Sequence, residues 1–119
     1  MKKTVTIKYK NKKIRIIAED CNFIRKITGL MFSSREKAKI LLFDFKYKQK
    51  MAIHSFFVFY SFIALWLDEK NKVVEIEIVK PFTPYVSPRK NVLKLIEIPF
   101  NEGNKGIIKL LFPSGIRKI

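Results

Sequence analysis

Apolar and polar residues alternate from the start of the chain. In Thr4-Val5-Thr6-Ile7-Lys8-Tyr9, the residues Val5, Ile7 and Tyr9 share one face. Asn11, Lys12 and Lys13 suit a turn, and Ile14-Arg15-Ile16 returns with the same period of two. The pattern predicts a β-hairpin with a lysine-covered outer face. Asp20 and Asn22 offer N-cap side chains and Gly29 a C-terminal stop, so a short helix is expected between them, with Phe23, Ile24 and Ile27 on one side. Ser33 and Glu36 have capping-box spacing for a further helical turn. Ile40-Leu41-Leu42-Phe43-Asp44-Phe45 reads as a strand, followed by a basic loop over residues 46–50.

The next pattern is a run of 17 residues, 51–67, without a formal charge. A membrane-spanning helix needs about 20 apolar residues, with about 17 as the lower limit. Lys46, Lys48 and Lys50 precede the run, as a basic flank would. The composition argues otherwise. His54, Ser55 and Ser61 interrupt the run, and five aromatics lie between Phe56 and Phe62. Aromatic residues favour strands. The preferred reading is two buried strands, residues 52–59 and 62–67, broken near Tyr60 and Ser61. A single membrane span through 51–67 stands as an alternative.

Asp68-Glu69-Lys70-Asn71 reads as a polar turn. A strand follows, with Val74, Ile76 and Ile78 inward and Glu75 and Glu77 outward. Pro81, Pro84 and Pro88 make residues 80–89 an extended connection. Residues 91–98 suit a strand or a short helix, and 105–112 a last strand. The expected fold is mainly β, at the margin of α+β: a small barrel-like or sandwich domain of about seven strands with one or two short helices. Residues 1–119 form one domain.

Charge changes this picture. Twenty-five Lys and Arg stand against ten Asp and Glu, a net charge of +15. A surface of that sign attracts nucleic acid or another polyanion. Lysine enrichment also occurs as a compositional bias, but such bias raises Glu alongside and does not produce the imbalance. Twenty of the cations are Lys, whereas bidentate readout of base edges favours Arg. The candidate anion-binding residues are Lys8, Lys10, Lys12, Lys13, Lys46, Lys48 and Lys50. Base stacking on exposed rings is a further option. Phe43, Phe45, Phe56, Phe57, Phe59 and Phe62 fall in apolar segments and are expected in the core, which leaves Tyr9, Tyr47, Tyr85 and Phe82 as candidate exposed rings. Met-Lys-Lys at the start leads into no apolar signal stretch, and the single Cys21 gives no hint of an oxidising compartment, so a cytoplasmic protein is expected.

Catalytic and metal motifs are sparse. One His and one Cys fall short of a closed zinc site. The four glycines make no phosphate-cradling loop. No metal and no cofactor is indicated. His54, Asp68 and Glu97 are the candidate pocket residues; Glu97 sits among Leu95, Ile96, Ile98 and Pro99, where a buried carboxylate needs a partner.

Several segments occur in a characteristic order: Gly29-Leu30-Met31-Phe32, Leu42-Phe43-Asp44-Phe45, Ile53-His54-Ser55-Phe56-Phe57, Trp66-Leu67-Asp68 with Val73-Val74 and Pro81, and Leu95-Ile96-Glu97-Ile98-Pro99 with Gly103 behind. Together they resemble the family called domain of unknown function 192, or uncharacterised protein family 0127, across nearly the whole chain. The resemblance implies a compact, β-rich, soluble, barrel-like domain and brings no established activity. Where many relatives have a Trp-Met-Lys-Asn-like stretch this chain has residues 54–57, and where many have an Asp it has Ile63. These departures remove the polar residues first in line for chemistry. The functional expectation is a non-enzymatic binding module for an anionic partner. The alternative is a small-ligand pocket or hydrolase-like site around His54, Asp68 and Glu97.

Overall fold

The computed structural model describes residues 1–21 and 29–115. The helix expected around Phe23, Ile24 and Ile27 lies outside the described residues. Six strands form one sheet: β1 (Lys2–Tyr9), β2 (Lys12–Asp20), β3 (Leu41–Gln49), β4 (Phe62–Leu67), β5 (Val73–Val79) and β6 (Val92–Pro99), in the spatial order β1-β2-β3-β6-β4-β5. All neighbours are antiparallel except β2 and β3, which run parallel over two residue pairs. The sheet curls into a half-barrel whose edge strands approach at one bridge, between Lys8 and Lys72.

The β1–β2 hairpin forms as its alternation predicts. Val5 pairs with Ile16 and Ile7 with Ile14, and all four are buried. The loop is Lys10-Asn11 and not Asn11-Lys12-Lys13 as expected, so Lys12 and Lys13 lie on β2; its φ of 46° and 64° give the double left-handed geometry that matches strand twist.

Two apolar cores lie on the two faces of the sheet. The enclosed one gathers Ile7, Ile16, Leu42, Leu65 and Ile96. The other gathers Phe43, Phe62, Trp66 and Leu95 on β3, β4 and β6 and is covered by Leu30, Val58 and Tyr60 from the long connections. β4 is buried at every position: Ile63, Leu65 and Leu67 join the first core, and Phe62, Ala64 and Trp66 the second. This is why residues 62–67 carry no charge.

The structure corrects five further expectations. Residues 52–59 form no strand. Their backbone makes one isolated bridge, Ile53 to Val86, and a turn in which the Val58 N–H donates to the Ser55 carbonyl. Residues 51–67 therefore form no helix, and no helix among the described residues is long and apolar enough to cross a membrane. β3 continues through Gln49, so Lys46 and Lys48 lie on a strand and not in a loop. The Ser33–Glu36 segment closes as isolated hydrogen-bonded turns, without a helix. The last expected strand is a helix, α1 (Lys105–Leu111), entered through a 3-10 turn at Glu102–Asn104. Ile107, Ile108 and Leu111 all pack on the enclosed core, and their spacing is helical. On β5 the pairing skips Val74 opposite Trp66 and Leu67, so Val73 and Ile76 reach the enclosed core while Val74 packs on the other side.

Candidate functional site

Of the lysines that the sequence singles out, Lys8 and Lys48 sit on separate strands and touch one turn, Lys8 through its backbone N–H and Lys48 through its ammonium. The β4–β5 turn is built by Asp68, whose Oδ1 accepts from the N–H groups of Lys70 (2.8 Å) and Lys72 (2.9 Å). Asn71, at φ 62°, completes it. The Lys8 N–H donates to the Asn71 carbonyl at 2.9 Å. The Lys94 ammonium donates to Asn71 Oδ1 at 2.8 Å, and the Lys48 ammonium lies 3.2 Å from Glu69 Oε2. The hairpin, the end of β3 and the start of β6 thus all touch this turn.

The surface so formed is strongly basic. Lys8 stands opposite Lys13 across the hairpin, and Tyr9 opposite Lys12. Directly opposed like charges are unfavourable in a sheet. Lys10 places its ammonium 5.3 Å from the Tyr9 ring centre. Lys46, at φ 64°, donates its N–H to Asp44 Oδ1, and Tyr47 beside it is exposed. Lys50 follows just beyond β3 and is also exposed. The Glu69 carboxyl is held below the usual carboxylate range by its own backbone N–H and then by Lys48.

His54 and Glu97 meet at a different place. A cavity of about 330 Å3 opens on the second core, lined among others by Phe43, Phe45, Phe62 and Leu95. Glu97 is buried in its wall, and Gly29 lies beside the carboxyl. His54 is exposed on the cavity lining, and its Nδ1 accepts from the Phe56 N–H at 3.1 Å. Asp68 does not line this cavity; its carboxylate is spent on the β4–β5 turn. The three-residue constellation expected from sequence is therefore not assembled. Cys21 is buried, donates weakly to the Glu19 carbonyl, and does not line the cavity with His54.

Sequence reasoning missed one surface feature. Phe56, Phe57 and Phe59, expected in the core, are exposed, as is Phe32; Phe82 and Tyr85 are exposed as the sequence suggested. Phe32 stacks on Phe57 with ring centres 5.0 Å apart, and Phe82 meets Phe57 and Phe59 edge-on at 5.9 and 5.2 Å. A signal was present: Pro81-Phe82 is a turn dipeptide, and Ser55 precedes a second turn.

No family model matches the chain. Individual relatives do. A UPF0127 protein of Pyrococcus horikoshii is 30% identical over 96 residues, which is 81% of each chain. The chain belongs to the UPF0127 family. A UPF0127 protein of Pyrococcus furiosus is 28% identical over 103 residues, covering 86% of this chain and 84% of its own. Solved structures add the fold. A Sinorhizobium meliloti protein proposed as a transcription regulator superposes with a TM-score of 0.70 at 17% identity, over 82% of this chain and 79% of that one. A protein of unknown function from Novosphingobium aromaticivorans gives 0.72 at 14% identity, over 89% and 78%. This UPF0127 protein shares with both the architecture of a small, mainly β domain.

Proposed function

We propose that this UPF0127 protein is a non-enzymatic binding module whose lysine-rich end engages nucleic acid or a similar polyanion. The observation that carries the reading is that the Lys48 and Lys94 ammonium groups and the Lys8 backbone N–H meet one turn, through Glu69 and Asn71. Lys10, Lys12 and Lys13 follow Lys8 around the hairpin, and Lys46 and Lys50 flank Lys48 along the chain. Folding opposes Lys8 to Lys13, a repulsion that a bound phosphate chain would relieve. Lysine is a flexible point charge, suited to contacts with phosphates and not to reading bases. The reading therefore predicts affinity without sequence preference, in a cytoplasmic setting.

The test is fluorescence anisotropy of labelled single-stranded RNA and duplex DNA at two salt concentrations. Contact with about six phosphates costs on the order of a thousandfold in affinity between roughly 50 and 200 mM salt. Reversing Lys10, Lys12 and Lys13 to Glu should weaken binding to every sequence alike and flatten the salt slope by about one for each phosphate no longer neutralised. Absence of salt-sensitive association with either nucleic acid would end this reading.

A second reading attaches to the cavity. Apolar walls with one buried carboxylate suit a small, largely apolar ligand that donates a hydrogen bond. Replacing Leu95 by Trp would fill that space; loss of a ligand found by screening on the unmodified protein would place the ligand there, and unchanged binding would place it elsewhere.

A further inference from the structure

Three separate turns repeat one unusual device. In the turn from Leu30 to Ser33, the Ser33 N–H donates to the Leu30 carbonyl and the third residue, Phe32, has φ 60°. In the turn from Ser55 to Val58, the third residue is Phe57, at φ 59°. In the turn from Lys80 to Thr83, closed by the Thr83 hydroxyl donating to the Lys80 carbonyl, the third residue is Phe82, at φ 56°. A positive φ at that position normally selects Gly or Asn. A bulky side chain there is a genuine outlier that the surroundings must hold in place.

The surroundings do hold it. Buried Ser55 donates its hydroxyl to the Lys80 carbonyl and accepts from the Thr83 N–H, while its carbonyl accepts from the Phe82 N–H. The Phe32 N–H donates to the Phe57 carbonyl at 2.9 Å, which locks the first two turns together. The fold thus fixes three strained phenylalanines side by side, and with Phe59 they make one contiguous apolar patch. Burial does not account for it: Phe32 is 71% exposed, Phe59 65%, Phe57 46% and Phe82 43%.

We infer that this patch docks the protein onto the surface of a bilayer carrying anionic lipid, with the four rings entering the headgroup region. Charge selects the occupant. The segments that supply the rings, residues 29–35, 51–60 and 80–90, carry Arg35, Lys80, Arg89 and Lys90 and no Asp or Glu, with Glu36 paired to Arg35 at 3.8 Å just beyond the first. Apolar rings flanked by cations fit an anionic headgroup layer over acyl chains. A second copy of the chain fits poorly, because it would bring another +15 and the same cations against these. Stacked bases also fit poorly. Phe32 and Phe57 already face one another, and the edge-on contacts to Phe82 tie up further ring surface. The patch shares no ring with the lysine-rich end, so this inference goes beyond the polyanion reading and stands or falls separately.

The experiment is co-sedimentation of the full chain with vesicles of mixed phosphatidylcholine and phosphatidylglycerol, and with vesicles of phosphatidylcholine alone. The protein should sediment with the mixed vesicles and lose that association as salt rises. The triple variant Phe32→Gly, Phe57→Gly, Phe82→Gly should partition at least about tenfold less, because the apolar area it buries is gone. It should melt no lower than the unmodified protein, since glycine adopts positive φ without strain. Phe59→Ser, outside the strained positions, should lose binding too and guards against a triple variant that fails to fold. Lys80→Glu should weaken binding to the mixed vesicles. The proposal is overturned if the unmodified protein stays in the supernatant with mixed vesicles. It is equally overturned if Phe59→Ser and the triple variant bind as before. If the Phe variants instead lose single-stranded RNA and keep the vesicles, the patch stacks bases and the membrane is not its partner.

Discussion

Gly29 and Glu97 lie against one another beside the cavity: a Cβ on Gly29 would stand 3.4 Å from Glu97 Oε1. Gly29 also has φ 53°, a conformation that side chains with a Cβ rarely adopt. Gly29→Ala should therefore cost about 1–2 kcal/mol from backbone strain alone. Urea unfolding should show a lower midpoint with an unchanged slope. An unshifted midpoint would mean that Gly29 does not need its left-handed conformation.

Ser55 ties two connections together. Its hydroxyl is fully buried and serves two backbone groups, the Lys80 carbonyl and the Thr83 N–H at 2.6 Å. Ser55→Ala leaves both without that partner and should cost about 2 kcal/mol. Hydrogen exchange should show the loss first at the Phe82 and Thr83 amides, because the 80–83 turn depends on this residue. Uniform exchange across the sheet, with those two amides unchanged, would contradict the assignment.

Asn101 joins the α1 approach to the loop before β3. Its Nδ2 donates to the Arg35 and Ala38 carbonyls, and its Oδ1 caps the Asn104 N–H at 3.1 Å. Asn101→Ala should destabilise by about 1–2 kcal/mol, and Asn101→Asp should not restore the loss, because a carboxylate accepts the cap and donates nothing to the two carbonyls. Thermal melts of the two variants, compared side by side, decide the point.

Glu69 pairs with Lys48 at the basic end. Glu69→Gln should raise polyanion affinity, roughly fivefold at low salt, by removing a negative charge from that surface. The pH dependence has a defined sign. Its folded value lies below the ordinary one, so the Lys48–Glu69 pair contributes to stability above the unfolded carboxylate range and is lost as pH falls through the lowered value. Polyanion affinity should rise over that same acidic window in the unmodified protein and rise less in the Gln variant, which lacks this one titrating carboxyl. The anisotropy assay, repeated across pH, tests both statements.

Period-two alternation was sufficient for β1 and β2, and the charge-free stretch from Phe62 to Leu67 for the doubly covered β4, whereas residues 91–98 suited a strand or a helix equally until the pairing of β6 with β3 and β4 made them a strand. In β1, β2 and β4 the local pattern and the tertiary environment agree. Composition likewise established the +15 charge and the scarcity of His and Cys. Two segments with strand-like composition went elsewhere. Residues 105–112 have the apolar content of a strand, but Ile107, Ile108 and Leu111 all pack on the enclosed core, which neighbouring strand positions 107 and 108 could not do together and a helix can. Residues 52–59 have the aromatic content of a strand, but their backbone groups pair with the 82–86 connection, and a turn at Ser55 turns Phe56 and Phe57 outward.

What the chain determined by itself was therefore the mainly β class, the β1–β2 hairpin, the doubly buried β4 and the sign of the net charge, because those follow from residue type and short-range spacing. The meeting of the Lys48 and Lys94 ammonium groups and the Lys8 backbone N–H at the β4–β5 turn was decided only by the tertiary structure. So were the separation of Asp68 from His54 and Glu97, and the gathering of Phe32, Phe57 and Phe82. Each depends on bringing residues tens of positions apart into contact, and no periodicity along the chain encodes which strands a curled sheet will set side by side.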